Sequence, residues 1–119
     1  MGTVAGRMIL NGLPYPPTAN TYYRSCRGRT FISSRGLKFR AEVARCIGDV
    51  EPLTGRLDVA LVVCMPDKRK RDIDNLIKPT LDALTKAGVW LDDSQIDKLS
   101  IERGEMRNGG QLIVCIMPR

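Results

Sequence analysis

The chain has 119 residues, 43% of them hydrophobic and 27% charged. That is long enough to bury one core and too apolar for a disordered segment. Nineteen Lys and Arg against thirteen Asp and Glu leave a formal charge of +6, a long-range field that favours polyanions, nucleic acid first. Cys26, Cys46, Cys64 and Cys115 show no C-x-x-C spacing and the chain has no histidine, which argues against a structural zinc site and for free thiols in a reducing compartment. The opening MGTVAGRMIL lacks the apolar core of a secretory signal, and no run approaches the roughly 20 apolar residues of a membrane span. The expectation is a single domain over 1–119, cytoplasmic, with no membrane partner.

In chain order, RMILNGL (7–13) reads as a short strand. The following PYPPTANTYYRSCRGRT reads as a surface loop or arm, because three prolines oppose regular pairing and its later residues are polar and basic. In SSRGLKFRAEVARCIG, Phe39, Val43 and Ile47 recur at helical spacing, with Ser33 or Ser34 as the cap and Arg35, Lys38 and Arg45 on the outer face. GRLDVALVVCMP alternates from Leu57 to Met65, and its second face is apolar near the end, so it reads as a central strand stopped by Pro66.

A second helix is predicted over 72–87, with Ile73, Leu76, Ile77, Leu81 and Leu84 on one stripe, Gly88 as its C-cap and a first-turn kink at Pro79. IDKLSIERGEM and QLIVCIMP, joined by RNGG, predict two C-terminal strands paired antiparallel as a hairpin. The fold class expected is α/β (α+β): a small mixed sheet with two main helices.

The chemistry concentrates in KRKRDIDNLIK (68–78). On an ideal helix Asp72 and Asp74 would lie about 200° apart and could not share a ligand. They converge only if they straddle a boundary, Asp72 extended or capping and Asp74 in the first turn. Lys78 is then one turn below Asp74, and Asp82 two turns below. After the helix come Asp92 and Asp93, and the chain reversal is expected to bring one of that pair back toward the first two acids. Clustered carboxylates suit a hard divalent cation such as Mg²⁺, the usual agent of phosphodiester hydrolysis. Lys68, Arg69, Lys70 and Arg71 beside them suit a phosphate backbone. Against this stands the plainer reading that Asp72 and Asp74 only cap and charge a helix start, Asp92-Asp93-Ser94 is a polar turn, and KRKR is a solvated face of a non-catalytic nucleic-acid-binding protein.

The stretch MPDKRKRDIDNLIKPTLDALTKAGVWLDDSQI (65–96) resembles the RusA-type Holliday-junction resolvases, with the R-D-x-D-N-x-x-K, D-A-L and D-D-x-Q intervals intact. PYPPTANTYYRSCRGRTFIS (14–33) is similar to that family's P-P-x-x-N-x-x-Y-R segment and basic arm. The resemblance implies a RusA-like fold and a homodimeric endonuclease of phage or prophage type that nicks four-way DNA junctions symmetrically, in recombination, repair or phage DNA processing. It also implies Mg²⁺, with Mn²⁺ as a substitute, and no small-molecule cofactor. It assigns Asp72, Asp74 and Asp93 as catalytic acids and metal ligands and Lys78 as the catalytic lysine, and leaves Asp92 open. Asn75 flanks the acids and either holds the loop or is a buried helix-start amide; Asp82 reads as a solvated helix residue or a support for the site. Tyr22 and Tyr23 either stack on DNA or pack the arm against the core. Tyr23, Arg24, Arg27 and Arg29 of the arm join the KRKR run as expected DNA contacts. A less selective branched-DNA nuclease would share the same chemistry.

Overall fold

A computed structural model describes residues 2–4 and 6–119. A five-stranded sheet carries the molecule: β1 (Gly2–Val4), β2 (Arg7–Leu13), β5 (Leu57–Cys64), β6 (Ile96–Arg103) and β7 (Gln111–Pro118), in the order β1-β2-β7-β5-β6. All neighbours are antiparallel except β5 and β6, which are parallel. Between β2 and β5 lie a four-residue helix α1 (Ala19–Tyr22), a separate hairpin of β3 (Tyr23–Cys26) and β4 (Arg29–Ile32), and the long helix α2 (Ser34–Ile47). A 3-10 turn (Ile73–Leu76) runs into α3 (Ile77–Lys86), and a second 3-10 turn (Asp93–Gln95) precedes β6. The mixed sheet with two main helices matches the class expected.

The core follows from strand alternation. Leu57, Val59, Leu61 and Val63 of β5 and Leu112, Val114 and Ile116 of β7 are buried against Phe39, Val43 and Ile47 of α2 and Leu76, Ala83 and Leu84 at the start and along α3. The alternate residues Ala60, Val62, Ile113, Cys115 and Met117 are only half-buried on the opposite face. On β5 and β7 that face is largely apolar, while the β6 residues paired beside it, Lys98, Ser100 and Glu102, are polar and exposed.

Three expectations need correction. The C-terminal strands do not pair. β5 lies between them, and the connection is tied to the end of β5 by hydrogen bonds from Gly104 N to Val63 O (3.0 Å) and Arg107 N to Met65 O (3.0 Å). The Asn108-Gly109 turn does form, closed by Gly110 N to Arg107 O at 2.8 Å, but it bends a longer crossing. Second, the arm is not all loop. Thr18 caps α1, and the chain then turns at Arg27 (φ 51°) and Gly28 (φ 77°), the double positive-φ geometry that joins two twisted strands in two residues.

Third, the helix predicted from Asp72 begins as a 3-10 turn, and α3 proper starts at Ile77. Pro79 is then the third residue of α3, where its missing N–H would have had no intrahelical partner. The tighter 3-10 winding also shifts the buried stripe to Leu76, Pro79, Thr80, Ala83 and Leu84, leaving Ile73, Ile77 and Leu81 half-buried. Gly88 (φ 86°) ends the helix as expected, with Val89 N bonding Leu84 O and Gly88 N bonding Thr85 O. Among the described residues no helix is long and apolar enough to cross a membrane.

Candidate active site

β5 delivers the chain to the acidic turn through a loop built around Asp67. Its carboxylate accepts from the Arg69 backbone at 2.9 Å and takes the Arg71 guanidinium on both oxygens, at 2.5 and 3.2 Å. These partners, Arg71 foremost, pull Asp67 down to about 2 from its ordinary 3.8. Arg103 of β6 donates to the Arg71 carbonyl and pins the loop to the sheet. Arg71 is therefore an internal strut, its side chain 21% exposed, whereas the side chain of Arg69, 81% exposed and no closer than 3.6 Å to the Asp67 carboxylate, still projects. Lys68 and Lys70 are exposed as well.

Asp72 is extended (φ −97°, ψ 119°) and Asp74 lies in the first 3-10 turn, so the two straddle a boundary as the spacing predicted. Asp72 occupies the capping position but makes no capping bond with its side chain. Both acids are exposed, and neither has an ion-pair partner among the described residues. Capping and charge pairing thus do not account for them. Lys78 is also exposed, and its Nζ stands 5.7 Å from the centre of the Tyr23 ring.

Asp92 and Asp93 separate cleanly. Asp92 caps the second 3-10 turn, accepting from Ser94 N at 3.1 Å, and the Ser94 side chain first, then this backbone bond, hold its carboxyl below the usual range. Gln95 completes the capping box: its Oε1 accepts from Leu91 N and Asp92 N at 2.9 and 3.0 Å, and its Nε2 donates to Leu53 O and Gly55 O at 3.0 and 2.9 Å. Arg56 adds a bond to Ser94 O at 2.9 Å. The turn is fixed from both sides, and Asp93 is left exposed on it.

Asp93 does not return to Asp72 and Asp74 within the chain. The pairing of Leu57 with Ile96 at one end and Val63 with Arg103 at the other makes β5-α3-β6 a parallel crossover. The two acids follow the C-terminal end of β5, and Asp93 comes just before the N-terminal end of β6. The ten residues of α3 separate them, about 15 Å of helix. Among the described residues no group of three or more carboxylate, thiol or imidazole side chains stands close enough to hold a metal ion.

Asp82 is not a solvated helix residue. It takes the Tyr22 hydroxyl, Arg40 Nε at 3.0 Å and a second Arg40 nitrogen at 2.8 Å, while Arg40 Nε also donates to the Tyr22 oxygen at 2.7 Å. Tyr22 is fully buried, so it packs the arm to the core. Tyr23 sits edge-on to it at 4.8 Å. Burial, with Asp82 and Asp93 adding and Arg40 opposing, raises the Tyr23 hydroxyl above its ordinary value. Arg24, Arg27 and Arg29 are exposed on the hairpin. Asn75 lines a groove of about 580 Å³, with Asp72, Lys70 and Arg71 beside it and Arg35 and Lys38 on α2.

The residues that reading the sequence missed are Asp67, Arg103, Arg40 and Gln95. Two local signals were available: the i, i+4 spacing of Asp67 and Arg71, and the capping-box spacing of Asp92 and Gln95. The donor set fits a hard divalent cation: two free carboxylates, no imidazole, and open positions for water and phosphate.

An exposed acid pair beside a lysine, at the end of a strand edged by cations, is the equipment of a phosphodiesterase. Residues 14–117 match the family model described as Endodeoxyribonuclease RusA, and the chain belongs to that family. Among its relatives, a crossover junction endodeoxyribonuclease of Enterobacteria phage 82 is 46% identical over 107 residues, covering 87% of this chain and 89% of the relative. Proteins of the same name from Escherichia coli K12 and Shigella sonnei are each 44% identical over 112 residues, with the same coverage.

Proposed function

We propose that the chain is an endodeoxyribonuclease that resolves four-way DNA junctions by paired, symmetric nicks, acting as a homodimer with Mg²⁺, or Mn²⁺ in its place. The observation that carries this reading is the pair of uncompensated carboxylates, Asp72 and Asp74, standing among exposed cations one turn from Lys78. The relatives' shared name supports the substrate.

Asp72 and Asp74 would hold the cation, and Asp93 of a second copy completes the set. The crossover keeps a chain's own Asp93 at the far end of α3, while the half-buried apolar residues Ala60, Ile113 and Met117 on the outer sheet face offer area on which two copies can associate. A C₂ dimer presents one such site to each of two opposed strands of a two-fold substrate. Held there, a divalent cation would supply Lewis acidity toward a phosphoryl oxygen and toward a water. Lys78 supplies positive charge where the phosphate gains negative charge, and the Tyr23 ring limits the volume its ammonium sweeps. Lys68, Arg69 and Lys70, with Arg24, Arg27 and Arg29 of the hairpin, hold the flanking backbone.

The test is incubation of the purified protein with a synthetic immobile junction and with one of its linear arms, in Mg²⁺ and in EDTA. Paired nicks confined to the junction and abolished by EDTA are expected. Equal cutting of the linear arm identifies a less selective nuclease, and binding without metal-dependent cutting overturns the enzymatic reading.

A further inference from the structure

The groove beside Asp72 is lined on one side by Tyr15, Pro16 and Pro17 and on the other by Lys70, Arg71, Asp72 and Asn75, with α2 closing it through Arg35, Lys38, Phe39 and Glu42. Arg35 and Lys38 lie three residues apart and so on one face of α2. Both are exposed, as is Lys70 across the groove, and none of the three forms an ion pair among the described residues. Arg71 is already neutralised by Asp67. The uncompensated charge inside the groove is thus three cations against Asp72 and Glu42. Glu42, one turn beyond Lys38, puts negative charge at the end of the row, where a phosphate is repelled. The apolar stretch from Tyr15 to Pro17 matches the faces of sugars and bases and not their phosphates.

We propose that this groove is the path of the cleaved DNA strand, with Arg35 and Lys38 of α2 and Lys70 opposite holding the phosphates next to the one that reaches Asp72. This rests on the nuclease reading above. It adds α2 to the DNA-contacting surface, through Arg35 and Lys38, beside the Lys70 end of the KRKR loop and the proline-rich start of the arm.

The experiment is fluorescence anisotropy of a labelled four-way junction in EDTA, titrated at 50 and 200 mM salt, with wild type, Arg35→Gln/Lys38→Gln and a control Arg45→Gln/Lys86→Gln. Arg45 and Lys86 are exposed outside the groove. Each phosphate contact contributes about 0.7 to 0.9 to the slope of log affinity against log salt. Loss of two contacts therefore lowers the fourfold-salt affinity ratio about seven- to twelvefold for each groove engaged. Lys38→Gln alone lowers it about threefold, and the control leaves it at the wild-type value. A double variant whose salt slope equals that of the control overturns the groove assignment while leaving the nuclease reading intact. Wild-type protein with no salt-dependent junction binding overturns both.

Discussion

Tyr22→Phe removes one oxygen from the joint that fastens the arm to α2 and α3. Tyr22 is 0% exposed, and its hydroxyl donates to the Asp82 carboxylate while accepting from Arg40 Nε at 2.7 Å. A hydrogen bond to a charged partner contributes about 1.5 to 3 kcal/mol. The direct Arg40–Asp82 contact at 2.8 Å survives the change, and those side chains are 24% and 26% exposed, so water can take up part of the vacated bonding. The expected loss is about 2 kcal/mol, roughly 8 °C in melting temperature for a chain of this size.

Urea unfolding followed by Trp90 fluorescence and circular dichroism measures it, with the slope unchanged from wild type. Burial, and then the Asp82 hydrogen bond, raise the Tyr22 hydroxyl above its ordinary 10.0. A raised acid keeps its stabilisation up to the unfolded value and loses it as pH climbs through the folded one. The wild-type advantage over the Phe variant therefore narrows above pH 10. A loss under about 0.5 kcal/mol, well short of one such bond, would refute the assignment of this joint.

Three further outcomes are expected. Gly36→Ala introduces a Cβ only 2.7 Å from the Tyr22 carbonyl oxygen and 2.7 Å from Ile32 Cγ2; because backbone cannot yield there as a side chain can, thermal melts should show a loss of about 1 to 3 kcal/mol. Asp67→Asn flattens the acid limb of stability: the depressed carboxyl stabilises wild type above its ordinary 3.8 and loses that effect as pH falls through about 2, so the two proteins' unfolding curves should converge over that window. Gln95→Ala breaks four hydrogen bonds that hold the Asp93 turn. Single-turnover assays should show slower cleavage by tenfold or more, roughly 1.4 kcal/mol in the barrier, with junction affinity within twofold and metal concentration for half-maximal rate increased.

Local pattern made most of the elements readable. β2, α2, β5, α3 and β7 each carry their own period and stop signals, from Ser33 to Pro66 and Gly88, and each formed close to its predicted bounds except at the start of α3, which the 3-10 turn delays to Ile77. The boundary between Asp72 and Asp74 was legible for the same reason, since two acids one residue apart can converge only outside a regular helix. Strand order was not. The Asn-Gly signal is local, whereas the insertion of β5 between β6 and β7 depends on pairing across more than 30 residues of chain, fixed by β5 being apolar on both faces and by the crossover helix.

The same long-range geometry hid the partners of Asp82, which come from Tyr22 and Arg40, 60 and 42 residues away. It also places Asp93 at the far end of α3. The hairpin at Arg27-Gly28 went unread because arginine rarely accepts positive φ, so the pair does not look like a turn.

Mixed dimers test the shared site most directly. Asp74→Asn and Asp93→Asn proteins, each inactive alone, are refolded together and assayed on the junction with Mg²⁺. If Asp72 and Asp74 of one subunit work with Asp93 of the other, the heterodimer holds one intact site and one doubly altered site, so single-strand nicking returns in the mixture. If mixing restores no nicking although heterodimers form, each site is built within one chain and the account is contradicted.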